Sequence, residues 1–139
     1  MGWHMPDFPS AIENTMTDKR QQRAFAEFVL EQMADIPGIG KRAMFGGFGI
    51  YRDGLMFALI ADEQLYLKAS DHLADEFTAL GLQPLLYESK GKAVSLKYYQ
   101  APESVFEESE QMLLWADKAY QCALRAAMAK YRKAPGRKT

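Results

Sequence analysis

The residue types that most often perform chemistry in proteins are sparse in this sequence, and their spacing does not build a site. The two histidines, His4 and His72, are far apart in the chain, and no CxxC or HExxH motif is present. The single cysteine, Cys122, stands in an alanine-rich segment without a nearby base, so we interpret it as a small buried residue rather than a nucleophile. We expect no metal site, no cofactor and no catalytic residue.

Four glutamates lie close together just after Pro102, at Glu103, Glu107, Glu108 and Glu110. Clustered carboxyl groups can serve as an acid/base pair. They are also favoured at the N-terminal end of a helix, where the helix dipole stabilises negative charge. We interpret the cluster as a solvated helix start, and we expect a protein that is not an enzyme.

Cations and tyrosines occur together in segments with strand-like patterns. They are Arg42, Lys68 and Lys97 with Tyr51, Tyr66 and Tyr98. If they share one face of a sheet, they could bind an anion or stack on nucleic-acid bases. The alternative is that the cations lie at sheet edges and the tyrosines in the core. The pattern places all of them near a sheet and leaves both interpretations open.

The segment IPGIGKR, which contains Arg42, could belong to a helix-hairpin-helix or to a phosphate-binding loop. A helix-hairpin-helix needs a second helix after the turn, whose N-terminal N–H groups meet a phosphate. Each glycine after Arg42 would cost such a helix ~1 kcal/mol relative to alanine, and PGIGKR lacks the GxxxxGK[ST] spacing. We therefore predict a connector that leads Arg42 into a β-hairpin.

The first half of the chain predicts one helix followed by a meander of strands. The helix is predicted from Asp18, because a glutamine follows three residues later at capping-box spacing and apolar residues then recur with a helical period. Strands are predicted at 44–51 and 55–61. Between them, Asp53 and Gly54 are typical of a two-residue type I′ turn. QLYLK is a third strand.

The second half predicts a shorter helix, a hairpin and a final helix. Ser70 caps the short helix, and Gly81 stands where a left-handed C-terminal residue is expected. Strands follow around 84–88 and 93–99, and a last helical region begins at Pro102. The element order is α-βββ-α-ββ-α. Hairpins separated by helices favour an α+β domain, an antiparallel sheet with helices packed on it.

The first predicted hairpin is apolar on both faces. Across its turn we expect Ile50 to pair with Phe57 and Gly49 with Ala58. Because side chains alternate between faces, one face would carry Phe48, Ile50, Phe57 and Leu59. The other would be a shallow floor of Gly47, Gly49 and Ala58, bordered by Tyr51, Met56 and Ile60. Such a sheet needs cover on both sides, so either the helices divide between the faces or a partner covers one of them.

The composition is that of a single folded domain. The chain has 139 residues, of which 48% are hydrophobic and 25% charged, and no apolar run approaches the ~20 residues that a membrane-spanning helix needs. A single cysteine excludes an intramolecular disulfide and fits a reducing compartment. We expect a soluble, cytoplasmic protein without membrane association.

Pattern and charge divide the chain into three parts. Residues 1–17 have no signal-peptide character and are predicted to be a disordered leader, in which His4 and Met5 match a cloning scar. Residues 18–130 are predicted to form the single domain. Residues 131–139 are predicted to be a basic flexible tail. The net charge is −1, and the cations near the C-terminus leave the rest of the chain acidic.

The segment RAMFGGFGIYRDGLMFALIADEQLYLK resembles the N-terminal domain of the TfoX/Sxy family, bacterial proteins linked to the regulation of natural competence. The family's run of Arg-x-Met-Phe-Gly-Gly-x-Gly-aliphatic-Tyr falls on Arg42, Met44, Phe45, Gly46, Gly47, Gly49, Ile50 and Tyr51. Its continuation falls on Gly54, Phe57, Ala58, Leu59, Leu65, Tyr66 and Lys68. The later YYQAPESVFEESEQMLLWADKA is similar to the family's Tyr-x-x-x-Pro segment, so the resemblance covers roughly residues 22–127.

The resemblance implies an α+β domain similar to secretion-chaperone-like folds, often dimeric and without known catalytic residues. IPGIG is not part of the family's pattern. Longer members continue into a C-terminal domain of helix-hairpin-helix character, so a DNA role of that domain is not carried over to this chain. We expect a standalone regulatory or adaptor module that acts through protein association, as a homodimer with an unidentified regulatory protein as partner, in the transcriptional regulation of competence.

The expected binding residues follow from the hairpin motif. The partner-binding surface is predicted to contain Arg42, Met44, Phe45, Gly46, Gly47, Gly49, Tyr51, Ala58, Tyr66 and Lys68. One alternative is a nucleic-acid-binding accessory protein that uses Arg42 and the basic residues Lys130, Arg132, Lys133, Arg137 and Lys138. Another alternative is a small-ligand sensor.

Overall fold

The computed structural model describes residues 7–44 and 46–133, which form four helices and one antiparallel sheet of six strands. The helices are α1 (Asp7–Gln32), α2 (Asp71–Ala79), α3 (Ser104–Glu107) and α4 (Ser109–Lys133). The strands are β1 (Ile39–Met44), β2 (Gly47–Arg52), β3 (Leu55–Ala61), β4 (Gln64–Lys68), β5 (Pro84–Ser89) and β6 (Lys92–Gln100). They lie side by side in the order β1-β2-β3-β4-β6-β5, which confirms the predicted α+β class. No helix in these ranges is long and apolar enough to cross a bilayer.

β1 is an addition to the strands predicted from the sequence, which treated the residues before Met44 as a connector. Its central residues are exposed, so no apolar alternation reveals it. It is a strand because its whole length pairs antiparallel with β2, from Ile39 opposite Arg52 to Met44 opposite Gly47. Gly46, with φ of 79°, takes the left-handed conformation in the turn between the two strands.

α1 begins at Asp7 rather than at the predicted Asp18, so the expected leader is helical from residue 7 onward. Pro9 stands in the first turn of this helix. Proline is tolerated there because the N–H group that it lacks would have no helical partner. The capping-box spacing at Asp18 therefore falls inside the helix instead of starting it.

The predicted turn and the ends of the predicted short helix are confirmed. Asp53 and Gly54 both have positive φ, 51° and 83°, as a type I′ turn requires. Ser70 caps α2, because its Oγ accepts a hydrogen bond from the backbone N–H of Leu73 at 3.2 Å. Gly81, with φ of 78°, follows the end of α2 in the left-handed conformation.

The helices pack on one face of the sheet and share a single core with it. Phe77 of α2 lies against Tyr99 of β6 and Trp115 of α4, with ring-centroid distances of 5.4 and 5.2 Å. Phe57 of β3 meets Tyr120 of α4 edge-on at 6.0 Å. Buried residues of α1 and α3 belong to the same core cluster. Aromatic pairs of this kind contribute ~0.5–1.5 kcal/mol beyond their area burial.

The pairing of β2 with β3 shifts by one residue at Phe57. Tyr51 lies opposite Met56 as predicted, but Ile50 lies opposite Ala58 rather than Phe57. Phe57 is therefore the extra residue of a β-bulge.

Beyond the bulge, the two faces of β3 are exchanged relative to the prediction. Gly49 pairs with Leu59, so the predicted pair of Gly49 with Ala58 is wrong. Ala58 and Ile60 belong to the core cluster beneath the helices, whereas Leu59 does not. A one-residue change of register has this effect because side chains alternate with a period of two.

Gly47 has no room for a side chain. A Cβ atom built on Gly47 would collide with the backbone carbonyl oxygen of Ile60 in the neighbouring strand. We expect Gly47→Ala to lower the free energy of unfolding by ~1–3 kcal/mol, the usual cost of overpacking. Urea unfolding followed by circular dichroism measures this change.

Gly40→Ala is the matched control within the same sheet. A Cβ atom on Gly40 meets no other atom within 4 Å. The free energy of unfolding of this variant should stay within ~0.5 kcal/mol of that of the parent protein. Equal losses in the two variants would contradict the collision at Ile60.

Candidate functional site

The sheet face that points away from the helices combines apolar, tyrosine and cationic side chains. On β4, Leu65 and Leu67 belong to the core cluster, so the alternating Tyr66 and Lys68 lie on the other face. The same alternation, with the bulge in β3, assigns the remaining strands. We call this surface the open face, and its residues are Arg42, Met44, Gly47, Gly49, Tyr51, Met56, Leu59, Tyr66, Lys68 and Tyr98.

Gly49 forms a floor within the open face. A Cβ atom built on it would stand 2.7 Å from Sδ of Met56, 3.1 Å from Sδ of Met44 and 3.2 Å from Cε1 of Tyr51. The chain's own side chains therefore lie over this floor. Methionine side chains are flexible and repack at little cost, so a partner can displace the cover that Met44 and Met56 provide.

Two cations of the open face lie over tyrosine rings. The guanidinium carbon of Arg42 is 5.7 Å from the ring centroid of Tyr51, and Nζ of Lys68 is 5.2 Å from that of Tyr98. Contacts of this kind contribute ~0.5–1 kcal/mol at exposed sites. Arg42 pairs with Gly49 across β1 and β2, so its positive charge stands beside the methionine-covered floor.

Three ionisable side chains of the open face, Tyr66, Lys68 and Tyr98, are partly shielded from water. Burial raises the pKa of the Tyr98 phenol to about 12, and the charge of Tyr51 adds to this rise. Burial also lowers the pKa of the Lys68 ammonium, and the charge of Lys130 lowers it further. Tyr51 and Tyr98 therefore lie within electrostatic range of each other, although β3 and β4 separate their strands.

Most of the partner-binding residues predicted from the sequence share the open face. These are Arg42, Met44, Gly47, Gly49, Tyr51, Tyr66 and Lys68. Gly46 is exposed in the adjoining turn between β1 and β2. Ala58 was placed on the wrong face, because the bulge at Phe57 turns it into the core, where it is fully buried. Phe45 lies outside the described residues.

Leu59 is the member of the open face that sequence reasoning missed. It pairs with Gly49 and is 7% exposed although it is not part of the core cluster. Met56 was predicted only as a border of the small-residue floor, and Tyr98 only as a member of the candidate anion or base-stacking site. The available signal was the run LMFALIA, which is apolar throughout and therefore does not specify which residues face which side.

Lys97, the third cation of the predicted anion site, pairs with an acid, although its charge also contributes to the lowered pKa of Lys68. Its Nζ donates a hydrogen bond to Oδ1 of Asp71 at 3.0 Å. Its φ of 63° is left-handed and interrupts the extended backbone of β6. The cations of the open face are thus Arg42 and Lys68, and its tyrosines are Tyr51, Tyr66 and Tyr98.

An apolar pocket of about 430 Å³ adjoins the open face. Its lining comes from β1, β3, β5 and β6 and consists of Met44, Leu59, Ile60, Ala61, Leu85, Leu86 and Leu96. Every one of these side chains is apolar. The pocket is continuous with the open face, because Met44 and Leu59 belong to both.

The basic residues of the nucleic-acid alternative lie at the end of α4. Lys130 and Arg132 are exposed, and Lys133 is the last residue of the helix. Arg137 and Lys138 lie outside the described residues. The charge of Lys130 lowers the pKa of Lys68, so this helix end is within electrostatic range of the open face.

Cys122 packs between α4 and the start of α2. It is a free, buried thiol, as predicted, and its Sγ lies 3.6 Å from Oγ of Ser70. Over residues 7–44 and 46–133, no group of three or more His, Cys, Asp or Glu side chains could hold a metal ion.

Tyr98 should make stability depend on pH in the alkaline range. Its pKa rises from 10.0 in the unfolded chain to about 12 in the fold, so its contribution is complete below pH 10 and is lost as the pH rises towards 12. Tyr98→Phe removes this dependence. Between about pH 9 and pH 12, its free energy of unfolding should fall by ~2 kcal/mol less than that of the parent protein.

Urea unfolding at a series of pH values measures the effect of Tyr98. Tyr131→Phe is the control, because Tyr131 is 67% exposed near the end of α4. This variant should lose stability in parallel with the parent protein. A parallel loss in Tyr98→Phe as well would contradict the buried environment of Tyr98.

The sequence is similar to a known domain family and to two named proteins. A sequence model of the TfoX N-terminal domain matches residues 31–123, a range that includes every residue of the open face. The chain is 27% identical over 95 residues to Protein Sxy of Escherichia coli (strain K12), which covers 68% of this chain and 46% of that protein. It is 31% identical over 74 residues to the DNA transformation protein TfoX1 of Aliivibrio fischeri (strain ATCC 700601 / ES114), which covers 53% of this chain and 35% of that protein. The chain spans less than half the length of each of these relatives, and it belongs to the TfoX N-terminal domain family.

Proposed function

We propose that this protein is a non-enzymatic regulatory adaptor that binds a regulatory protein through its open face. The observation that carries the proposal is the one-sided packing of the sheet. The described helices share a core on one face, and the opposite face presents methionines, tyrosines and a small-residue floor. A sheet with apolar residues on both sides gains stability when a partner covers its second face.

The chemistry of the open face favours a protein as partner. Aromatic residues, methionine and arginine are enriched where proteins bind one another, and the open face contains all three types. Met44 and Met56 supply an adaptable apolar centre over Gly49. Arg42 and Lys68 add positive charge that can select an orientation through acidic residues of the partner.

The biological setting is the regulation of natural competence at the level of transcription. Its support is the name of a relative, the DNA transformation protein TfoX1, together with the family match over residues 31–123. The site of action is the cytoplasm, which suits the single cysteine, a free thiol in the structure.

Met56→Lys should abolish partner binding. The substitution places an ammonium group over the Gly49 floor, where a partner would bury it without a counter-charge. A pull-down of the tagged full chain from its native lysate after nuclease treatment measures the effect. We expect the retained regulatory protein to decrease at least about tenfold, the change that ~1.4 kcal/mol produces.

Met128→Lys is the matched control for that experiment. Met128 is 55% exposed on α4, and it receives the same chemical change. It should retain the partner at the level of the parent protein. Equal retention by a folded Met56→Lys variant would refute the open face as the contact, and loss of all retained proteins on nuclease treatment would favour nucleic acid instead.

A nucleic-acid-binding accessory protein is the second candidate function. The observation that favours it is the approach of two cations from distant parts of the chain, since the charge of Lys130 reaches Lys68. Together with Arg42 they could follow the phosphate backbone of a single strand, while Tyr51 and Tyr66 stack on its bases. Binding of this type would decrease steeply with salt concentration.

Replacing Lys130 and Arg132 together by glutamine tests this second candidate. If both contact phosphates, the slope of log affinity for single-stranded DNA against log salt should become less negative by ~1.4. Fluorescence anisotropy at several salt concentrations measures the slope. Replacing Lys19 and Arg20, two exposed cations of α1, is the control and should change little. Absence of DNA binding by the parent protein at low salt would eliminate the candidate.

A further inference from the structure

The apolar pocket brings together strands from opposite edges of the sheet. Met44 stands on β1, whereas Leu85 and Leu86 stand on β5, at the other end of the strand order. In a flat sheet these two strands would lie roughly 24 Å apart, at about 4.8 Å for each step between neighbours. Because their side chains line one pocket, the sheet curls and brings its two edges towards each other.

An irregularity in β6 accounts for part of this curl. Between two paired positions, β5 has one residue, Leu85, whereas β6 has three, residues 96–98. Lys97, the middle one, has a left-handed backbone with φ of 63°. Extra residues in one strand bend it and increase its twist. The β5–β6 hairpin therefore leaves the course of a flat sheet, and its leucines reach the pocket.

The size and lining of the pocket fit the apolar part of a small molecule. Its volume of about 430 Å³ falls within the ~300–1,000 Å³ that is usual for small-molecule sites. Leu59 in its wall is only 7% exposed, although it lies on the face opposite the helices. All the lining side chains are apolar, so a polar group placed among them would lose its hydrogen bonds to water without side-chain partners.

A cation stands at the end of a path that leads out of this pocket. Arg42, Gly49 and Leu59 lie opposite one another across β1, β2 and β3. Leu59 lines the pocket, and between it and Arg42 only the flexible side chains of Met44 and Met56 cover Gly49. Among the described residues, no carboxylate forms an ion pair with Arg42. Its guanidinium is thus available to an acidic group.

We propose that the pocket binds a free fatty acid, with the hydrocarbon chain among the leucines and the carboxylate on Arg42. A guanidinium can bind a carboxylate through two parallel hydrogen bonds. The unbranched chain would cross the Gly49 floor after Met44 and Met56 move aside. This ligand accounts for an entirely apolar pocket beside a cation that has no acidic partner in the described part of the chain.

Isothermal titration calorimetry with hexanoate, octanoate and decanoate, below their micelle-forming concentrations, tests the pocket. Affinity should rise about fourfold for each added methylene, because each one is buried among apolar side chains. Ala61→Phe places a ring in the pocket and should weaken decanoate binding at least about tenfold. Ala43→Phe, at an exposed position of β1, is the matched control and should bind like the parent protein.

Circular dichroism establishes that both phenylalanine variants are folded. The chain-length series on the parent protein gives a result even if Ala61→Phe does not fold. No binding of decanoate, or an affinity that does not change with chain length, would overturn the inference.

Arg42→Gln tests the position of the carboxylate. It should weaken octanoate binding at least about tenfold, the usual effect of losing a hydrogen bond to a charged group. Binding of octanol, which has no charge, should not change. Lys41→Gln is the control, because Lys41 lies on the other face of β1, over the ring of Phe48. Equal losses of octanoate and octanol binding in Arg42→Gln would contradict the assignment of the head group.

Nuclear magnetic resonance of ¹³C-methyl methionine locates the ligand in the parent protein. Decanoate should shift the methyl signal of Met44, which lines the pocket, and leave that of Met128, exposed on α4, in place. An unchanged Met44 signal at saturating decanoate would overturn the inference. All these measurements use the chain without any other protein, so their outcome is independent of whether a regulatory partner binds the open face.

Discussion

The β-bulge at Phe57 is the constraint on which both faces of the sheet depend. At the bulge, the Phe57 ring packs edge-on against Tyr120 of α4. After it, Ala58 lies opposite Ile50, where a regular strand would place Phe57, and Ile60 takes the core position that a regular strand would give to Leu59. Leu59 is thereby released to the opposite face, where it pairs with Gly49. One extra residue lets β3 supply a large ring to the helices and an apolar side chain to the open face.

The glycines of β2 follow from this register, and each has a different cause. Position 47 needs a glycine because the backbone carbonyl oxygen of Ile60 occupies the space that a Cβ atom would need. Position 49 needs a glycine because the thioether sulfurs of Met44 and Met56 lie close to where a Cβ atom would stand. The backbone that blocks position 47 cannot move aside, whereas the flexible methionine side chains that cover position 49 can. The glycine-rich motif therefore combines a rigid strand contact with an adaptable surface two residues away.

How much of the structure the sequence determines depends on how local the signal is. Local signals determine the conformation of the backbone within a few residues of themselves. The turn and the helix ends predicted from Asp53, Gly54, Ser70 and Gly81 are confirmed. β1 and the bulge at Phe57 arise from pairing and packing with distant residues. The bulge lies in an unbroken apolar run, and β1 is largely exposed. Neither segment shows the alternation of apolar and polar residues from which a strand and its faces are inferred. The hairpin motif predicts which strands carry the candidate site, but it assigns one member to the wrong face.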